Sequence, residues 1–471
     1  MVSHHGTGSK KLGGLKKSVL QVVKPTEEEL KLATYHANRI MARLKAIAPK
    51  DVEIITAGSV ARGTQVRGSY DIDIFLLFPK SKDERSMEAR GLELGKKIVD
   101  RSRKESFVIK YAEHPYVKIF LAEDGITADI VPAFKIKNAL EIGTAVDRTP
   151  LHNKFVNQHL KEKQKDDVRI LKSFLKNHNI YGAEAKVRGF SGYLCELLTY
   201  YYGSFENTLE SFSSIRLPLI LNIGNKVEVD AKSTEGAALI KQFKSDFIIL
   251  DPTDINRNVA ASVSVRSIAK LAIISRALLA NPEIGIFAGP RYSDILSKDK
   301  VTELQKIMDA DVYVLAFNSD DILDDIVWEQ LTRLRARINE VLTKNNFAAL
   351  ASFQNISGRS CIIALFINRV KNGSAIIKGP TAFMDKASNA FLKAHKKGLA
   401  FFLENERITS LENPKCVNPE ELLREITRDK NFAMPSHIKP EKMFVYMNSY
   451  IPERYAKMLY EAFEQDRISV F

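Results

Sequence analysis

The sequence predicts a multidomain α/β (α+β) protein, on three observations. With 471 residues the chain is too long for one ordinary core, and length alone points to about three domains. Hydrophobic residues make up 45% and charged residues 27%, the balance of a globular protein. Strand-like runs such as 71–78 and 126–131 alternate with amphipathic helical ones, which calls for mixed sheets with flanking helices. The expected organisation is a disordered basic tail over 1–24 and a head with a mixed sheet over 25–145. A helical central domain over 146–250 and a mixed α/β C-terminal body over 251–471 complete it. No Pro/Gly-rich linker marks these borders.

The balance of 70 Lys+Arg against 57 Asp+Glu gives a net charge of +13, which suits a polyanionic partner such as nucleic acid or an unspecialised cationic surface. Cys195, Cys361 and Cys416 are too scattered for a disulfide framework or a zinc spacing, which favours a reducing cytoplasm. His4, His5, Gly13, Gly14 and several lysines give the first residues the look of a disordered tail. The apolar run over 18–23 is short and broken by Gln21, unlike a signal peptide. No later run approaches the ~20 apolar residues that span a bilayer.

Thr26 and Glu29 form a capping box, and Leu30, Ala33, Ala37, Ile40, Leu44 and Ile47 recur at helical spacing, so a helix starts after Thr26. A short strand over 51–56 leads into Gly58-Ser59-Val60-Ala61-Arg62-Gly63. Glycine lets backbone amides approach an oxyanion, Ser59 can donate a hydroxyl hydrogen bond, and Arg62 brings charge to a phosphate. A lone Gly-Ser reads better as a turn that caps a helix. After Arg67, Gly68 and Ser69 comes Asp71-Ile72-Asp73-Ile74, whose alternation puts both aspartates on one face of a strand. A lone Asp-x-Asp is often a solvated strand end; a phosphate cradle about a dozen residues before it makes a stronger signal.

A two-metal site needs a third carboxylate. The segments 107–112 and 116–122 read as a hairpin, Glu123-Asp124-Gly125 as a turn, and 126–131 as a returning strand that carries Asp129 among apolar neighbours. An unpartnered carboxylate there is costly, so Asp129 either ligates a metal or pairs with a lysine or arginine in the core.

The arrangement Gly58-Ser59, Arg62-Gly63, Asp71-x-Asp73 and Asp129 resembles the nucleotidyltransferase superfamily of DNA polymerase β and the poly(A) polymerases. Further segments narrow it: Asp147-Arg148-Thr149-Pro150-Leu151-His152, Tyr181-Gly182-Ala183-Glu184, the run 187–198, the run 251–261, Trp328-Glu329-Gln330-Leu331 and Lys378-Gly379-Pro380. Together they resemble the archaeal, class I CCA-adding enzymes, the tRNA nucleotidyltransferases, over nearly the whole chain from about Thr26.

The resemblance implies a nucleotidyltransferase head that adds C, C and A to the 3′ end of tRNA from CTP and ATP, without a nucleic-acid template and with release of pyrophosphate. It assigns Asp71, Asp73 and Asp129 to catalysis and to two Mg²⁺ ions, and Ser59 and Arg62 to the triphosphate. His152, Lys172 and Tyr181 hold the nucleotide, and Arg257 helps to read its base. Many relatives carry Glu where this chain has Asp71. Each assignment has a plainer alternative: His152 as a helix cap, Lys172 on a solvated face, Tyr181 as a packed loop aromatic, Arg257 paired with Asp254. The implied partners are tRNA, CTP and ATP, with no membrane; a homodimer is left open. Another RNA ribonucleotidyltransferase, such as a poly(A) polymerase, and an inactive RNA-binding protein are the alternatives.

A helix with Val168, Leu171 and Leu175 on one face runs to Asn177, and another is expected over 259–280, ended by Asn281-Pro282. Beyond it, strands are expected over 311–317 and 360–368 and helices over 321–345 and 387–397. Lys393, Lys396 and Lys397 near the end of the last helix are candidate RNA phosphate contacts, with Phe391, Phe401 and Phe402 read as core.

Overall fold

The computed structural model describes residues 5–467 apart from 70, 82, 112–113, 122–124, 289–298, 321, 346, 348, 369–374, 413–417, 430–431 and 439–442. Cys416 and the first two residues of the Glu123-Asp124-Gly125 turn lie outside the described residues. The chain forms two compact units that divide at residues 291 and 292.

The first unit opens with α1 (His5–Val23), in place of the disordered tail that composition suggests. Its stripe of Leu12, Leu15, Val19 and Val23 is buried in the same core as the helices Glu162–Asn177 and Val265–Ala280. Lys16 bridges Asp167 at 2.5 Å and Glu206 at 2.7 Å. The stripe has helical spacing, and burial there outweighs the local cost of Gly13-Gly14. Next, α2 (Glu27–Ile47) begins at the expected capping box, with Thr26 accepting from the Glu29 amide and Glu29 from the Thr26 amide.

The head follows: β1 (Glu53–Ala57), the one-turn α3 (Gly58–Arg62), β2 (Asp71–Phe78), α4 (Glu84–Lys97), β3 (Ser106–Tyr111), β4 (Pro115–Leu121) and β5 (Ile126–Phe134). These strands make one sheet in the order β1-β2-β5-β4-β3, antiparallel except for the parallel β2–β5 pair at its centre. Alternation sends Ile72, Ile74, Leu76, Ile119, Ala128 and Ile130 into one core beneath α2 and α4. The opposite face carries the aspartates.

The rest of this unit is helical, as expected, around α5 (Thr149–His159), α6 (Glu162–Asn177), α7 (Gly192–Tyr202) and α8 (Phe205–Ser213). It also holds a sheet in the order β7-β6-β8-β9, built from β6 (Leu219–Asn222), β7 (Val227–Glu228), β8 (Phe247–Asp251) and β9 (Asp254–Asn258), with α9 (Thr234–Phe243) between. The helix expected over 259–280 starts later, as α10 (Val265–Ala280), because Ser264 is its N-cap and accepts from the Ser267 amide. Its Ile268, Leu271, Ile274 and Leu278 share the core of α6 and α7, and α11 (Ile284–Ala288) adds Phe287. Residues 251–288 thus pack within the first unit, past the border expected at 251.

The second unit contains α12 (Asp299–Met308), β10 (Ala310–Asn318), α13 (Asp324–Lys344), β11 (Ala349–Ser357) and β12 (Ser360–Asn368). Then come β13 (Ala375–Thr381), α14 (Asp385–Ala394), β14 (Ala400–Glu404), β15 (Arg407–Glu412), α15 (Pro419–Arg428), β16 (Phe444–Met447) and α16 (Glu453–Asp466). The sheet β11-β12-β10-β16 is covered on both faces, with Tyr313, Leu315 and Phe317 under α13 and α15, and Val312, Val314 and Ala316 under α12 and α16. A smaller sheet, β13-β15-β14, packs against α14.

Candidate active site

The loop geometry is dictated by Gly58. It follows β1 with φ of +70°, and a Cβ there would lie 1.7 Å from Asp73 Oδ2. Only glycine accepts both the left-handed backbone and the contact, so β1 hands the chain to α3 directly beside the carboxylate. Ser59 stands half-buried on the first turn of α3, and Gly63, also left-handed, ends it with its amide donating to Ser59 O and Val60 O.

The three aspartates meet across the parallel centre of the sheet. Asp73 is the register partner of Asp129, and Asp71 that of Thr127, whose hydroxyl donates to Asp71 Oδ1. Lys118 on β4 is opposite Asp129 in the antiparallel register. Its ammonium is 3.1 Å from Asp71 Oδ1, 3.1 Å from Asp129 Oδ1 and 3.1 Å from Thr127 Oγ1. Asp129 therefore sits beside the other two carboxylates and pairs with a lysine, the second of the two expectations for it.

The electrostatics show a surplus of negative charge. Burial and the neighbouring Asp129 carboxylate push Asp73 up to about 6, against the pull of Arg62. Burial also raises Asp129, with Lys118 opposing. For Asp71, burial is outweighed by the Thr127 hydroxyl and Lys118, which hold it below the usual carboxylate range. Asp129 Oδ1 is buried and lacks an aligned hydrogen bond, although the Lys118 ammonium is close. Three hard oxygen donors with more negative charge than Lys118 and Arg62 offset fit a hard divalent cation. The three do not converge as closely as Glu84, Glu88 and His114, the described cluster whose ligand atoms all lie within 4.8 Å of one another.

Arg62 and Lys172 turn inward to a shared anion, Glu196 on α7. Arg62 Nη1 donates to Asn153 Oδ1 at 2.8 Å, and its Nε is 2.9 Å from Glu196 Oε2, out of line for a hydrogen bond. Lys172 donates to Thr64 O and Oγ1 and to Glu196 Oε1, at 3.2, 3.1 and 3.3 Å. A solvated Lys172 is thus excluded: the side chain is 3% exposed, and burial lowers its pKa against the pull of Glu196. Burial would raise Glu196, but Arg62 and Lys172 hold it down. Arg169 completes the clamp by donating to Gly63 O and Gln65 O, so α6 pins the backbone that follows the cradle. Tyr181 sits at the same place; its hydroxyl would be 3.0 Å from a Cβ at Gly192, and Lys172 Nζ 3.6 Å.

His152 and Arg257 gather at a second anion, Asp251. His152 Nε2 and Arg257 Nη1 each lie 2.9 Å from Asp251 Oδ2, while Tyr193 and Thr253 donate to Oδ1. The His152 ring stacks on Tyr193 with centroids 3.9 Å apart, and burial lowers its pKa despite Asp251. Arg257 therefore pairs with Asp251, not Asp254, which is held by Arg148 at 3.0 Å. Lys118, Glu196 and Asp251 are site residues that sequence reasoning does not find. Glu196 is legible in hindsight as the single acid of an otherwise apolar helix, Gly192–Tyr202. Lys118 has no local signal, because only strand register brings it to Asp129.

In the second unit, Lys393, Lys396 and Lys397 are all exposed, and α14 ends at Ala394 with His395 as its C-cap, earlier than the expected 397. Phe391 is half-buried, with its ring against Gly379 and beside His395. Phe401 and Phe402 do not join the core: they are 41% and 43% exposed on β14, every residue of which faces solvent.

Three family models match in chain order. A nucleotidyltransferase domain matches residues 37–152, a tRNA nucleotidyltransferase second domain 166–288, and a CCA-adding enzyme C-terminal domain 309–444. A CCA-adding enzyme of Methanocaldococcus jannaschii is 33% identical over 92% of this chain and 95% of its own length. That of Archaeoglobus fulgidus is 35% identical over 86% and 87%, and that of Saccharolobus islandicus 36% over 71% and 74%.

Proposed function

The chain belongs to the CCA-adding enzymes and acts as a tRNA nucleotidyltransferase, and we propose that it does so at Asp71, Asp73 and Asp129, taking CTP and ATP in turn. The observation that carries this assignment is the register of β2 against β5, which sets Asp73 directly across from Asp129 beside a glycine-bounded loop.

Nucleotidyl transfer in this family calls on a divalent cation. We assign it as Mg²⁺ in a pair, which would supply activation of the terminal ribose hydroxyl by one ion and neutralisation of the leaving pyrophosphate by the other. The three carboxylates would hold the pair. Ser59 and the loop amides lie where a triphosphate can approach those carboxylates, with Arg62 and Lys172 as its counter-charges once drawn from Glu196. His152 and Arg257, both bound to Asp251, would line the base. Lys393, Lys396 and Lys397 supply phosphate contacts for the tRNA body. Free, buried Cys195 and Cys361 suit a reducing cytoplasm.

The test is incubation of the purified protein with tRNA that lacks its terminal CCA and with each NTP separately and together. Ordered incorporation of C, C and A without further growth is the expected result. Unlimited A addition would establish a poly(A) polymerase instead, and no NTP consumption with any RNA an inactive RNA-binding protein.

A further inference from the structure

Lys118 has a role that the reaction chemistry does not by itself require. Its neighbours are Asp71, Asp129 and Thr127, each with an oxygen 3.1 Å from the ammonium. The placement is built into the sheet, since Lys118 and Asp129 are register partners across β4 and β5, and Asp129 and Asp73 across β5 and β2. The side chain is 18% exposed and carries its ammonium to the carboxylates on a flexible four-carbon stem. It lies between two of the carboxylates that would hold a divalent cation.

We propose that Lys118 is the internal counter-ion of the three-aspartate site: it holds Asp71 and Asp129 together in the metal-free protein and must be displaced when a divalent cation binds. The proposal rests on the reading of these aspartates as metal ligands. Lys118 is a positioning residue here. It keeps three like charges compatible with the folded strands between turnovers, and it weakens cation binding by competing for the same oxygens. Replacing it with a neutral side chain has opposite effects on the two states. The metal-free protein loses its only ammonium bridge between Asp71 and Asp129 among the described contacts, while the site's field for a divalent cation strengthens.

The experiment measures Mn²⁺ binding by the loss of the free-ion electron paramagnetic resonance signal, and thermal unfolding in EDTA and in excess Mg²⁺. For Lys118→Met the dissociation constant should fall roughly tenfold or more. Its unfolding temperature should drop below wild type in EDTA and return towards it with Mg²⁺. Lys118→Gln, which keeps a polar group near Asp129 without the charge, should show the same tightening and serves if the methionine variant does not fold. An unchanged dissociation constant in the folded variants, or an equal loss of stability with and without Mg²⁺, overturns the proposal. Asp73→Asn in the same assay separates the two readings. If it leaves Mn²⁺ binding intact in the wild-type background, the three-aspartate site fails. If it abolishes binding while both Lys118 variants bind as wild type, the counter-ion fails alone.

Discussion

Gly58 has no room for a side chain, and that constraint ties the loop to the chemistry. An added Cβ would meet Asp73 Oδ2 at 1.7 Å on a backbone with φ of +70°. Gly58→Ala should therefore cost about 1–2 kcal/mol for the left-handed backbone and displace Asp73 by an ångström or so. A misplacement of that size lowers the turnover number by roughly 10²-fold with little change in tRNA affinity, as single-turnover CTP incorporation and filter binding would show. Asp73→Asn, which keeps the shape and removes the charge, should abolish incorporation while tRNA still binds; substantial residual turnover would count against the carboxylate site. These residues are legible in the sequence because a glycine-serine turn and alternate aspartates announce themselves locally. The counter-charges of the site are not announced in this way: Lys118 meets the aspartates, Glu196 meets Arg62 and Lys172, and Asp251 meets His152 and Arg257 only through strand register and helix packing.

Elements with strong periodicity appear where expected. The capped α2 begins at Thr26, and β12 spans Ser360–Asn368. The exceptions are instructive. Helix α1 is hidden by its glycine pair, although Leu12, Leu15, Val19 and Val23 already carry the helical stripe. The sheet β13-β15-β14 is unreadable because β14 buries nothing and so lacks alternation. The end of α6 offers a test. His178 is fully buried after Asn177, its Nε2 donating to Ile286 O at 2.9 Å, and burial pushes it down to about 4. In the unfolded chain it titrates near 6.5, so between about 6.5 and 4 protons bind the unfolded state preferentially. Stability contributed by neutral His178 is then complete above about 6.5 and is lost as pH falls through that window, by about 3 kcal/mol in all. His178→Gln should flatten this acid limb in chemical denaturation between pH 7 and pH 4. An unaltered limb would place the loss on other groups.

The two units divide the work as their family models do, with nucleotidyl transfer in the first and the CCA-adding C-terminal domain in the second. The net charge of +13 gives the whole chain a field that favours RNA, but a field alone selects no surface. On the second unit, Lys393, Lys396 and Lys397 are exposed, and Phe401 and Phe402 of the following strand β14 also face solvent. Their exposure leaves the two rings available to stack on bases, as exposed lysines are available to phosphates. Reversing the three lysines to glutamate should weaken tRNA binding without altering CTP incorporation into a saturating minimal acceptor, because the aspartate site lies in the other unit. The sharper measurement is the slope of log affinity against log salt. Removal of one phosphate contact lowers its magnitude by about 0.7–0.9, so three such removals take roughly 2–3 from it. An unchanged slope and affinity would exclude these lysines from the tRNA surface and leave the net charge to be explained by other residues.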